Sequence, residues 1–162
     1  MKRSIVICTM FLAGLFLVHH QSAAQRKISV GGRFGLSVFS NYGSSTGLQL
    51  GPTIDYMFDK DKFFGSDFTF NTQGGTPIEW ANYFKYMIHL QQSEITPYVD
   101  GGFSLWFVSG GPYFGLRFGG GAYFPLTKDI SIPADIQLGP VFTSGSSTFY
   151  FAMTSGIRYN LP

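Results

Sequence analysis

Apolar and polar residues alternate over most of the chain, in segments of about 10 to 14 residues separated by turn residues. Successive side chains of a strand point to opposite faces, so this alternation predicts strands with one apolar and one polar face. No segment sustains a helical period. The predicted strands are 28–40, 47–58, 63–72, 79–90, 97–108, 113–124, 130–142 and 148–161.

The connections between these segments form two sets. The first, third, fifth and seventh are rich in Gly, Ser, Thr and Asn and carry no charge, whereas the second, fourth and sixth carry all the charged turn residues. A tilted transmembrane strand needs about 9 to 11 residues, which these segments supply. An even number of strands is usual for single-chain bacterial barrels, and their termini lie in the periplasm. We therefore expect the charged turns on the periplasmic side.

Each predicted strand carries a charged residue on the face opposite its apolar ladder. An Arg or Lys on the lipid face at mid-bilayer costs about 2 to 4 kcal/mol, so the charge-free face suits lipid and the other face suits a lumen. Eight strands leave room inside for side chains and little more, which predicts a closed, salt-bridged lumen. The residues are Arg33, Asp55, Asp67, Lys85, Asp100, Arg117, Asp135 and Arg158. The expected pairs join neighbouring strands: Arg33–Asp55, Asp67–Lys85, Lys85–Asp100, Asp100–Arg117, Arg117–Asp135 and Asp135–Arg158.

A soluble barrel, such as a lipocalin-like carrier, is the structural alternative. It would reverse the faces, placing the apolar set inside and the charges in water. Charged residues make up only 12 % of the chain, against about 25 % in typical soluble domains. The apolar set, which includes Phe68, Trp80 and Phe103, is also too bulky for the interior of eight strands. The pattern therefore favours the transmembrane barrel.

Residues 1–24 have the pattern of a cleaved secretory signal. Lys2 and Arg3 precede the apolar run Ile5–Val18, and Ser22-Ala23-Ala24 supplies small residues for cleavage; an uncleaved anchor is the alternative. The only cysteine, Cys8, lies in this signal, so the mature chain has no disulfide and no thiol chemistry. Cleavage leaves nine of the eleven basic residues against nine acidic ones, which gives no basic patch for nucleic acid.

An aromatic set and one histidine are the candidate sites. An aromatic group faces the lumen toward its outward end and forms either a pocket for a small apolar molecule or a plug: Phe39, Tyr83, Trp106, Tyr113 and Tyr150. His89, the only histidine after signal removal, is expected in the lumen near the periplasmic end, far from where a lipid-cleaving Ser–His–acid site would lie. One histidine without cysteine predicts no transition-metal site.

Three stretches resemble the small outer-membrane β-barrel family of Gram-negative bacteria, the porin-like group around the eight-stranded OmpX and OmpA-type barrels. They are Thr96-Pro97-Tyr98-Val99 leading to Gly101-Gly102, Gly119 to Asp129 (GGGAYFPLTKD), and Gly156-Ile157-Arg158-Tyr159. The resemblance implies a monomer without cofactor, in contact with outer-membrane lipid and inserted by the barrel-assembly machinery. Such chains usually end in Phe, whereas this one ends Leu161-Pro162; Ile157, Tyr159 and Leu161 keep the alternation, so we expect insertion.

These observations predict an all-β fold: an eight-stranded antiparallel up-and-down transmembrane β-barrel with a closed polar lumen, formed by residues 25–162 as one domain. We expect it in the Gram-negative outer membrane, with a structural or envelope-related role and no catalysis. The alternatives are, in order, a carrier or transporter of a small hydrophobic ligand, a surface adhesion protein, and a lipid-modifying enzyme.

Overall fold

The computed structural model describes residues 28–40, 45–73, 77–91, 93–108 and 111–162, so the predicted signal lies outside the described residues. The described ranges contain no helix long and apolar enough to cross a membrane. Their strands are β1 (Ile28–Phe39), β2 (Ser45–Asp59), β3 (Lys62–Asn71), β4 (Ile78–Met87), β5 (Thr96–Val108), β6 (Gly111–Pro125), β7 (Ile130–Thr143) and β8 (Ser146–Asn160).

Each strand pairs antiparallel with the next, and β1 pairs with β8 to close the barrel. This confirms the predicted eight-stranded up-and-down topology. The strand bounds agree with the alternation to within a few residues. The largest difference at a C-terminal end is in β4, which stops at Met87 and is followed by the connection 88–95.

The outer face of the barrel is apolar and the inner face is polar. Leu50 and Phe84 are each 63 % exposed on the outside, and Ile157 is 60 % exposed. Inside, charged residues such as Arg117 and Asp67 are almost completely buried. A soluble barrel has the opposite distribution, since exposed phenyl rings and buried ions are both unfavourable in water. The fold is therefore a transmembrane barrel, and the lipocalin-like alternative is wrong.

Two clusters that contain aromatic rings close the interior at its ends. At the end with the charged turns, Phe63, Met87, Tyr98 and Tyr123 pack together, with Met57 against them. At the opposite end, Trp106, Val141, Tyr150 and Ala152 form the second cluster, flanked by Phe39 and Tyr113. The charged side chains fill the space between the two clusters. The lumen is thus built as apolar, ionic and apolar layers along the barrel axis.

Glycines on the strands beside the arginines make room for these long side chains. Arg33 on β1 has Gly51 as its register partner on β2 and Gly156 on β8. Arg117 on β6 has Gly102 on β5, and Arg158 on β8 has Gly31 on β1. An inward glycine adds no side chain to the lumen, so each guanidinium passes over the neighbouring strand and reaches across the barrel.

Candidate functional site

The structure places all eight predicted charged residues in the lumen. Seven of them are buried, with exposures from 0 % for Asp67 to 8 % for Asp135, and Asp100 is half-buried. They project from all eight strands. A buried ion needs an opposite charge and hydrogen bonds to offset its lost hydration. The partners of each charged group therefore determine whether the lumen is a closed network or leaves a charge available to a ligand.

Asp67 is the acceptor at the centre of this network. It forms ion pairs with Arg33 and with Arg117, whose Nη2 lies 2.6 Å from Asp67 Oδ2. The hydroxyl of Tyr83 donates a hydrogen bond to Asp67 Oδ1 at 2.9 Å. The guanidinium of Arg117 also lies 4.7 Å from the centroid of the Tyr83 ring, a cation–π contact. Two cations and a phenol hydroxyl therefore offset the lost hydration of one fully buried carboxylate.

Asp55 organises a second group nearer the charged turns. Lys85 Nζ lies 3.0 Å from Asp55 Oδ2, and Arg158 Nε lies 3.4 Å from the same oxygen. Tyr123 donates its hydroxyl hydrogen to that oxygen at 3.1 Å and accepts a hydrogen bond from Lys85 Nζ at 2.5 Å. The ammonium also lies 4.7 Å from the Tyr98 ring centroid. This group joins the ionic layer to the aromatic cluster below it.

The remaining two acids differ in how they are paired. Asp135 binds Arg33 and accepts hydrogen bonds from Thr154 Oγ1 at 2.8 Å and from Gln137 Nε2 at 2.7 Å. Asp100 forms no ion pair within the described ranges, and its buried Oδ1 has no hydrogen-bond partner there. It lies beside a cavity of about 20 Å³ that Arg117 and Gln137 also line. This volume accommodates about one water molecule, which could hydrate the carboxylate.

The predicted pairing between neighbouring strands is wrong. None of the six expected pairs forms an ion pair in the described part of the barrel: Arg33–Asp55, Asp67–Lys85, Lys85–Asp100, Asp100–Arg117, Arg117–Asp135 and Asp135–Arg158. Lys85 and Asp100 are direct register partners, yet the ammonium binds Asp55 on β2. Gly65 on the intervening strand β3 is the register partner of Asp55, and the Asp55 carboxylate and the Tyr83 ring occupy the space above it. The register also offsets Arg33 from Asp55, since Asp55 faces Ser29.

Glu79 is a lumen charge that the sequence reasoning missed. It is completely buried, and its Oε2 accepts hydrogen bonds from Gln49 Nε2 at 3.3 Å and Thr69 Oγ1 at 3.2 Å. Its only described cation contact is Arg117 Nη1, at 3.8 Å. The signal was present, because Glu79 has the same parity as Lys85 on the same strand. The described lumen thus holds five acids and four bases.

Four of the five predicted aromatic residues meet at the end opposite the charged turns. The Trp106 ring centroid lies 5.0 Å from that of Phe39 and 4.8 Å from that of Tyr150. Tyr113 packs against this cluster. Tyr83 is not part of it but lies deeper, hydrogen-bonded to Asp67 as described above. The rings contact one another at this end, and the ligand pocket stays a prediction.

His89 lies outside the lumen, contrary to the parity argument. β4 ends two residues before it, so the alternation no longer applies to its side chain. The side chain is 57 % exposed, and Nε2 lies 2.6 Å from Asp61 Oδ1 in the β2–β3 turn. The histidine therefore belongs to the rim with the charged turns. Within the described ranges, no three His, Cys, Asp or Glu residues are grouped so as to hold a metal ion.

The fold resembles solved structures of small outer-membrane barrels. Neisserial surface protein A matches with a TM-score of 0.70 at 16 % identity, over 86 % of this chain and 100 % of that chain. The N-terminal β-barrel domain of Pseudomonas aeruginosa OprF matches with a TM-score of 0.62 at 12 % identity, over 83 % and 98 %. The chain has the fold of a small outer-membrane β-barrel.

A de novo designed transmembrane β-barrel shares this outer-membrane-type fold, with a TM-score of 0.60 at 11 % identity over 87 % of this chain and 100 % of that chain. No family model and no curated protein matches the sequence. Because a designed barrel also adopts it, the fold by itself specifies no activity, and function must be argued from the lumen and the surfaces.

Proposed function

We propose that this chain is a monomeric integral protein of the Gram-negative outer membrane, exported with a cleaved signal, that serves a structural role in the envelope without catalysis. The barrel-assembly machinery would insert it, and outer-membrane lipid would surround it. The observation that carries the proposal is the packed lumen, in which an ionic network lies between two clusters of apolar side chains.

The apolar, ionic and apolar layers of the lumen argue against an open pore. A hydrated ion that enters from one end must first displace rings such as Trp106 and Tyr150, which are 1 % and 3 % exposed. It then meets Asp67, Arg33 and Arg117, whose charges are already paired. Separating a buried ion pair leaves an uncompensated charge and costs several kcal/mol, about 3 to 5 for loss of one partner. Passive conduction through this lumen is therefore unfavourable.

Neither the packed lumen nor the position of the histidine supports a carrier or an enzyme. A small apolar ligand at the Trp106 end would have to separate rings whose centroids lie about 5 Å apart, as measured above. An enzyme of the Ser–His–acid kind needs its histidine oriented by an acid and in reach of a nucleophile. His89 is bound to Asp61 at the exposed rim, in the charged turns that the proposal places in the periplasm.

The apolar outer surface supports residence in a bilayer. Large exposed residues occur on the outer face of every strand, from Leu36 on β1 to Met153 on β8. Removing such surface from water stabilises the inserted state by about 25 cal/mol for each Å² buried. The connections at the end opposite the charged turns are short and uncharged in sequence, so they do not support the adhesion alternative.

The test combines fractionation with conductance. The protein should fractionate with washed outer membranes and, on an SDS gel, migrate faster unboiled than boiled. Reconstituted in a planar bilayer, this folded protein should give no steady single-channel current, while an added general porin does. The Trp106→Ala/Tyr150→Ala variant should also stay closed, because the ionic layer remains below the removed rings. Recovery from the soluble periplasm would overturn the location, and steady current through the wild type would overturn the closed lumen.

A further inference from the structure

A groove interrupts the lipid-facing surface where β6, β7, β8 and β1 lie side by side. Its volume is about 580 Å³. The floor comprises small residues, among them Gly120, Ala122, Ala134 and Ser155, and the borders comprise large ones. The bordering residues are Phe34, Leu36, Phe124, Ile136 and Met153. The groove is therefore a depression in a belt of large apolar side chains.

The strand register explains the depression. Ala122 pairs with Ala134, Ala134 pairs with Ser155, and Ser155 pairs with Phe34. Three successive strands thus present small outward residues side by side, and the fourth ends the row with a phenyl ring. The row starts near the end of β6 at the charged turns. The groove extends to Met153 in the middle of β8 and to Leu36, three residues before the end of β1.

The surface that the groove presents to a ligand is apolar. The hydroxyl of Ser155 donates a hydrogen bond to Pro133 O at 2.9 Å. Thr154 and Asp135 point inward and bind each other at 2.8 Å. The described polar groups of the lining are therefore used within the barrel, and the complementary ligand is apolar, long and narrow.

We propose that this groove binds one acyl chain of a glycerophospholipid from the periplasmic leaflet. The inference rests on the proposed outer-membrane location with the charged turns in the periplasm. The groove is continuous with the lipid-facing surface, so the bilayer supplies its occupant. Lys128 is exposed in the turn between β6 and β7, four residues after the bordering Phe124, and provides a cation for the lipid phosphate at that end.

A smaller groove on the opposite side shows what distinguishes this site. It has about half the volume, 300 Å³, and is lined by Phe58, Phe84 and Val99. Its lining also includes Lys62, but the ammonium forms an ion pair with Asp59 at 2.7 Å. The smaller groove therefore offers less apolar contact, and its cation is already neutralised by a carboxylate.

Native mass spectrometry of the protein as it is recovered from membranes tests the proposal. The protein is purified from membranes and incubated in detergent with 1-palmitoyl-2-oleoyl-phosphatidylethanolamine. We expect one phospholipid to remain bound per barrel in the wild type. Ala134→Phe fills the groove floor and should abolish this bound species. Gly32→Leu is the matched control, since Gly32 also faces lipid but lies outside the groove, with Gly51 O at 4.0 Å as the only close atom of a Cβ there.

The headgroup is tested separately with Lys128→Gln. This change should weaken retention of the phospholipid and leave retention of 1-palmitoyl-2-oleoyl-glycerol, which lacks the phosphate, unchanged. Equal retention in the wild type and Ala134→Phe, or none in the wild type, would overturn the groove as a lipid site. A barrel dimer that Ala134→Phe disrupts, without bound lipid, would identify a second copy as the occupant instead.

Folding is followed in the same samples. If Ala134→Phe does not give the fast-migrating unboiled band, Ser155→Leu fills the same floor from β8 and replaces it in the comparison. Outer-membrane fractionation is scored independently for the wild type. A wild-type protein that fractionates with the outer membrane but retains no lipid overturns this inference alone, whereas a soluble periplasmic protein overturns the proposed function.

Discussion

Arg33 on β1 forms its ion pair with Asp67 on β3, passing over the strand that separates them. The residue beside Arg33 on that strand is Gly51, which adds no side chain to the lumen. The same arginine binds Asp135 on β7, which lies two strands away in the other direction around the closed barrel. The lumen is therefore linked across strands that are not hydrogen-bonded to each other, and the predictions below follow from these links.

Arg117→Leu should lower the free energy of unfolding by about 3 to 5 kcal/mol, as expected for removing one partner of a buried ion pair. The change leaves Glu79 without its described cation and Asp67 with Arg33 alone. The measurement is a urea titration in detergent micelles, scored by the fraction of the fast-migrating unboiled band. Lys62→Gln is the control, because its ion pair with Asp59 is exposed and should contribute nothing measurable. Equal midpoints for the two variants would contradict the network.

The two carboxylates that contact Arg117 should differ sharply in importance. Asp67→Asn removes the carboxylate that Arg33 and Arg117 share. Arg33 then keeps only Asp135 and Arg117 keeps only Glu79 at 3.8 Å, so the barrel should be destabilised by about 3 to 5 kcal/mol. Glu79→Gln keeps a polar group of the same shape, and its described cation is 3.8 Å away, so the loss should stay below about 1 kcal/mol. The same urea titration compares them. A larger effect from Glu79→Gln would mean that Glu79 is the main partner of Arg117.

Gly65→Ala should destabilise the barrel by about 1 to 3 kcal/mol through overpacking. A Cβ at Gly65 would lie 2.2 Å from the ring of Tyr83 and 2.5 Å from Asp55 Oδ1, so both side chains must move. Gly101→Ala is the matched control, since Gly101 faces lipid and its Cβ would meet no atom closer than 3.6 Å. Thermal conversion of the unboiled band to the boiled position measures both. If Gly65→Ala is as stable as the wild type, the side chains of Tyr83 and Asp55 can move away from the added methyl group at no cost.

Phe103→Arg should impair insertion, because Phe103 is 44 % exposed on the outer face near the middle of β5. A cation at the bilayer midplane costs about 2 to 4 kcal/mol. Phe103→Leu keeps the position apolar and serves as the control. Refolding yield into phospholipid vesicles, read from the gel shift, measures both. Normal insertion of the arginine variant would mean that this face does not contact lipid.

The alternation predicted the strands and their faces because a period of two requires no knowledge of the partner strand. Parity alone places Arg33, Asp55 and Lys85 on the inner face. Parity gives no depth along the barrel axis, which depends on register and tilt. The sequence-based pairing therefore joined Arg33 to Asp55, although the register places Asp55 opposite Ser29.

Two other errors have separate causes. A pattern of one charge per strand leaves out Glu79, although its parity matches that of Lys85 on the same strand. His89 was misplaced because β4 ends at Met87, and parity has no meaning beyond the end of a strand. The lipid-facing groove also required the register, since Ala122, Ala134 and Ser155 are far apart in sequence and align only across paired strands.

The layered lumen has a consequence for how the barrel comes apart. Detaching β1 from β2 and β8 breaks two hydrogen-bonded seams, but it also pulls Arg33 from acids on β3 and β7. Removing β8 likewise takes Arg158 from Asp55 on β2. Neither β1 nor β8 can leave while the rest of the barrel keeps its ionic contacts, so extraction by force from either terminus should occur in a single rupture rather than hairpin by hairpin.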